Sequence, residues 1–123
     1  INILARSSCD TMKEFLALQL SSCFAMAGMK VELSGGYSGW QPNVNSPLLA
    51  ALKTAYNDMF GKMPDVRVTH AGLECGLLGE KIQGLDAVSI GPEMHDIHTS
   101  RERLGIASTA RMWAFLKAVL KAL

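Results

Sequence analysis

The segment Gly35-Gly36-Tyr37-Ser38-Gly39-Trp40-Gln41-Pro42-Asn43 constrains the fold of this chain more than any other. Three glycines and a proline cannot continue a helix or a central strand, so the residues on either side must fold as separate pieces. The segment suits a hinge or an interdomain crossing, with Trp40 as a packing anchor. The predicted division is 1–35, a crossing at 36–45, and 46–123.

The first piece begins with Ile1-Asn2-Ile3-Leu4, whose branched residues favour a strand. It reads as the middle of a strand with no polar lead-in, and we expect the chain to be a C-terminal part of a longer protein. Thr11-Met12-Lys13-Glu14 matches a capping box, in which hydroxyl and carboxylate satisfy free N–H groups at a helix start. Met12, Phe15, Leu16, Leu20, Cys23, Phe24 and Ala27 follow at helical spacing. Gly28 supplies the left-handed residue that ends the helix. Met29 to Ser34 alternates apolar with polar, as a strand with one wet face does. The first piece is therefore expected to be β-α-β.

In the second piece, Ser46 as N-cap and Pro47 at the first helical position open a helix. Leu49, Leu52, Tyr56, Met59 and Phe60 form its stripe, and Gly61 closes it. Val66 to Thr69 and Leu85 to Ile90 read as strands, separated by a short helical segment from about Glu74 to Ile82. Met112, Trp113, Leu116, Val119, Leu120 and Leu123 mark a last helix. The order α-β-α-β-α predicts parallel strands in an α/β fold. Two strands make a poor sheet, which again suggests a part of something larger.

Composition excludes several classes. Twelve basic and 11 acidic residues give a formal charge of +1 with no basic cluster, which disfavours nucleic-acid binding. Gln19, Ser21 and Ser22 interrupt the longest apolar run, so no membrane span is expected. Cys9, Cys23 and Cys75 are odd in number and irregularly spaced, which fits a reducing, cytoplasmic compartment.

The chemistry concentrates in two turns, Thr69 to Gly76 and Gly91 to Glu102, which hold all three histidines. Each follows a strand-like run, and strand ends are where α/β sheets collect ligands. His98 is the first candidate metal ligand, with Glu102 four residues on to support it, although a surface loop histidine has the same pattern. His95 and His98 at i, i+3 would chelate together on a helical turn, which Pro92 and Asp96 disfavour. His70 and Cys75 suggest a thiol nucleophile with a histidine base, against a plain buried cysteine. Glu74 suits either a substrate ammonium or a helix N-terminus. Arg6 offers a planar fork for a carboxylate, or an ion pair on a wet sheet face.

Four stretches, Ser34 to Pro42, His70 to Gly76, Ser89-Ile90-Gly91-Pro92 and His98-Thr99-x-x-Glu102, resemble the C-terminal quarter of bacterial aminoacyl-histidine dipeptidases. These cytosolic, carnosinase-like Xaa-His enzymes belong to the dinuclear zinc exopeptidases that include aminoacylases and carboxypeptidase G. The resemblance implies that residues 1–35 are the second half of a lid and dimerisation domain. It also implies that 46–123 are the last part of an α/β zinc-peptidase catalytic domain. His98 would be the family's C-terminal zinc ligand, Glu102 its support, and Arg6 the arginine that binds the substrate carboxylate. His70 to Gly76, Glu74 included, would line the substrate pocket. His95 has no counterpart, and Ser100-Arg101 stand where the family usually has Pro followed by Asp or Asn. The implied enzyme carries two zinc ions, with manganese or cobalt as alternatives, and is a homodimer or larger. Its general base and remaining ligands lie upstream, so this chain holds no catalytic residue and is expected to be inactive alone. The rivals are a cysteine hydrolase using Cys75 and His70, and a non-enzymatic α/β assembly module.

Overall fold

The computed structural model describes residues 1–69 and 74–123. Along the chain these form α1 (Asp10–Met26), α2 (Pro47–Phe60), α3 (Glu74–Lys81), β1 (Met94–His95), β2 (Arg103–Leu104) and α4 (Ile106–Ala122). The described residues divide into two compact units, one of Ile1–Val44 with Arg67–Leu85, the other of Asn45–Val66 with Asp86–Leu123. These bounds differ from a single cut at the glycine-rich crossing, because the segment carrying α3 groups with the first piece.

The helices start and stop for reasons written largely in the sequence. Ser46 Oγ accepts the Leu49 N–H at 2.8 Å with Pro47 in the first turn, so α2 opens as expected. Gly61, at φ 67°, closes it. Gly28, at φ 77°, ends α1 in a Schellman motif: the Gly28 N–H bonds the Ala25 carbonyl and the Met29 N–H bonds the Phe24 carbonyl. The predicted capping box is corrected. Cys9 is the N-cap of α1, and the Thr11 hydroxyl contacts the Cys9 sulfur rather than capping the helix. Asp10 enters one residue before Thr11 with a carboxylate suited to the first turn, so the helix begins earlier.

The strand expectations are also corrected. Among the described residues, the segments at 1–4, 29–34, 66–69 and 85–90 join no ladder. The β-α-β and α-β-α-β-α orders are therefore not formed as written. The ladder that does form is β1–β2, antiparallel, pairing Met94 with Leu104 and His95 with Arg103, where a loop was expected. Branched apolar residues favour a pleated surface only when a neighbouring strand is there to pair with.

In the second unit α2 packs on α4 around Leu52, Ala55, Phe115 and Val119. Tyr56, Phe60 and Phe115 form an aromatic cluster, Tyr56 meeting Phe115 edge-on at 5.5 Å between centroids. Of the residues whose spacing marked this last helix, Trp113, Leu120 and Leu123 are exposed, because α4 turns the line of Met112, Phe115 and Val119 toward α2.

Candidate functional site

The ribbon β1–β2 presents His98 at the tip of the loop 96–102. Its base is fixed to the start of α4. The Gly105 N–H donates to the Glu93 carbonyl at 2.9 Å. The buried Ser108 hydroxyl accepts the Glu93 N–H at 3.0 Å and donates to the Gly105 carbonyl at 2.7 Å. A Cβ on Gly105 would lie 2.7 Å from Ser108 Oγ, so a residue without a side chain is needed there.

Within the loop, Asp96 (φ 53°) and His98 (φ 64°) both adopt left-handed backbone. That conformation costs L-residues roughly 1–2 kcal/mol each, and Asp and His are among those that adopt it more often. Local bonds hold it. The Asp96 carbonyl accepts from the Thr99 N–H at 3.2 Å and from Thr99 Oγ1 at 2.7 Å. Thr99 Oγ1 also accepts the Arg101 N–H, and the Thr99 carbonyl accepts the Glu102 N–H. Glu102 Oε2 accepts the His98 N–H at 3.0 Å. Arg103 Nη2 reaches Asp96 Oδ2 at 2.9 Å.

Of the site residues proposed from sequence, His98 and Glu102 are therefore together, through the backbone of His98. Both are exposed. His95 lies on β1 opposite Arg103. Among the described residues no group of three His, Cys, Asp or Glu side chains is disposed to hold a metal ion. The donor chemistry at His98 fits a metal in kind, an accessible imidazole on a fixed backbone, while the further ligands such an ion needs must come from other residues.

The first unit carries the other candidates. Arg6 is exposed and lines a groove of about 580 Å³ together with Tyr37, Trp40 and Thr69. Glu74, also exposed, is the first residue of α3, where its charge suits the helix end, and half-buried Cys75 follows it. His70 lies outside the described residues, as does its proposed pairing with Cys75.

Sequence reading missed the junction that holds this unit. Asp10 Oδ1 accepts the Gly39 N–H at 2.8 Å and Lys13 Nζ at 2.7 Å. Lys13 also donates to the Tyr37 carbonyl and sits over the Tyr37 ring. Ser38 Oγ donates to Glu80 Oε2 at 2.8 Å, tying the glycine-rich segment to α3. A Cβ on Gly39 would lie 2.6 Å from the Ser8 carbonyl oxygen, and one on Gly76 2.9 Å from that of Ser38. Two glycines thus let three backbone segments touch. The Lys13 ammonium, then the Gly39 N–H, lowers the Asp10 carboxyl below its ordinary range. The Ser38 hydroxyl, then Lys81, lowers that of Glu80. The Cys9 thiol is lowered as well, by the Thr11 hydroxyl and then the Met12 N–H. The pairing of Asp10 with Gly39 spans too much sequence for any local pattern to signal it.

The fold superposes on the aminoacylhistidine dipeptidase of Vibrio alginolyticus with a TM-score of 0.80 and 34% identity, over 95% of this chain and 24% of that one. Along nearly its whole length the chain is homologous to part of a dipeptidase. It is 39% identical over 121 residues to the cytosol non-specific dipeptidase of Escherichia coli (strain K12), covering 98% of this chain and 25% of that protein. No family model matches. The chain spans about a quarter of the length of these relatives.

Proposed function

We propose that this chain is part of a metal-dependent dipeptidase, active on Xaa-His-type dipeptides in the cytosol. The observation that carries the proposal is His98, held at a loop tip by Glu102 in a chain homologous to dipeptidases over nearly its whole length. His98 serves as one metal ligand, and Glu102 fixes its backbone. Arg6 binds the carboxylate end of the dipeptide with a two-point, charge-assisted pair. Glu74 and His70 complete the residues assigned to substrate binding. Two zinc ions, or manganese or cobalt in their place, supply Lewis-acid activation of water when bound. Since His98 is the one metal ligand assigned among the described residues and none of these is assigned as general base, the chain is inactive alone. Residues 1–35 belong to the lid, and the assembled enzyme is a homodimer or larger with the lid half at its contact. In the described residues no helix is long and apolar enough to cross a membrane.

The test is His98→Ala in the full-length protein, with metal content read by elemental analysis. Bound metal should fall from two ions toward one, with a strong loss of turnover. Full activity with two ions bound would remove His98 from the site.

A further inference from the structure

We infer that Arg103 is a positioning residue for His98, acting through Asp96 to hold the metal-binding loop in its left-handed form. The inference rests on the reading of His98 as a metal ligand. Left-handed backbone at His98 sets the direction of its Cα–Cβ bond, and with it the cone that the imidazole can sweep. Two such residues, separated by a single residue in a short loop, would relax toward ordinary conformations unless something opposed the change. The bonds among Asp96, Thr99, Arg101 and Glu102 begin and end inside the loop, so they shape it without orienting it. Arg103 differs. It belongs to β2, is registered opposite His95, and precedes the Leu104–Gly105 step into α4. Its guanidinium on Asp96 Oδ2 is the tie, among those described, from a loop side chain to the ribbon. Through Glu93, Gly105 and Ser108 that ribbon is fastened to α4.

The pair is open to water, with the Arg103 side chain 69% and that of Asp96 40% exposed. An exposed ion pair adds little to global stability. Its effect should therefore show in metal affinity and leave melting nearly untouched, which separates positioning from a merely structural role.

The experiment uses the full-length protein, with apparent zinc affinity measured by competition against a chromophoric chelator and the melting temperature of the metal-free form measured alongside. Arg103→Ala should weaken one of the two ions about 10- to 100-fold, the range for loss of a group that orients a metal ligand. Asp96→Asn keeps the loop's backbone preference while removing the charge, and should match it. The double variant should cost no more than either single one, because both remove the same tie. Arg103→Lys should restore affinity in part, and Arg101→Ala, which leaves the described bonds of the loop intact, should behave as the parent. Wild-type affinity in both Arg103→Ala and Asp96→Asn, with one ion lost in His98→Ala, would overturn the role of Arg103 and spare the ligand. Two ions retained in His98→Ala would overturn the reading beneath it. A fall in metal-free melting temperature that accounts for the weaker binding would make the pair structural.

Discussion

In the unit built on α2 and α4, Phe115 and Val119 are each 4% exposed and close a core with Leu52 and Ala55. In the other unit α1 buries no residue: Leu16, Leu20 and Phe24 are half-buried, while Leu18 is 66% exposed and Leu33, beyond the helix, 71%. Both units have similar raw material, a helix rich in apolar residues beside strand-like runs, although α1 segregates them to one face less than α2 does. The difference is that α2 has a second helix to pack against, whereas the extended segments beside α1, among the described residues, join no ladder. Helix faces find partners one against one, whereas a sheet face exists only once its ladder is complete. The first unit is held instead by polar ties and by glycines that let backbones touch.

The largest break in that contrast should come from the core. Phe115→Ala is expected to cost roughly 3–5 kcal/mol in urea denaturation, because it removes a buried ring from an aromatic cluster that cannot collapse to fill the space. An intermediate effect is expected where the first unit depends on close backbone approach. Gly39→Ala should cost roughly 1–3 kcal/mol, since the new methyl would meet the Ser8 carbonyl. Hydrogen exchange should show the loss around residues 7–10 and 38–39 and spare α2 and α4.

Acid should sharpen the comparison further. Asp10 and Glu80 have lowered pKa values in the folded state, so their contribution is present above the ordinary carboxylate range and is lost as pH falls through the lowered values. The amide signal of Gly39 should therefore titrate below the ordinary aspartate range, and Asp10→Asn should abolish that titration while Phe115 and its neighbours report no change. The smallest effect belongs to α1. Leu18→Ala should stay within about 0.5 kcal/mol, as for other exposed sites; a cost like that of Phe115→Ala would mean that its face is covered in solution.

What could be read from the sequence follows the same division. Ser46, Pro47, Gly28 and Gly61 fixed helix ends through interactions a few residues long, and local patterns report those well. The strand-like runs at 1–4, 29–34, 66–69 and 85–90 misled because β-branched residues record a preference whose fulfilment depends on distant neighbours. Trp113 and Leu120 misled for a related reason: α4 is apolar on more than one face, and periodicity does not say which face meets α2. At the candidate site, the His98-Thr99-x-x-Glu102 spacing was legible, and the Thr99 and Glu102 bonds give it a physical basis. The left-handed backbone at Asp96 and His98 was not legible, nor was the Arg103 tie, which joins a β2 side chain to the loop.

The hydroxyl of Ser108 has one more consequence. It joins the chain entering β1 to the chain leaving β2 at the foot of α4, so the hairpin's bonds described here close between Glu93 and Arg111. A segment that supplies its own donors and acceptors behaves as a cassette. Grafted onto the start of another helix, with glycine ahead of the first turn and serine three residues later, it would bring its histidine with the backbone already set.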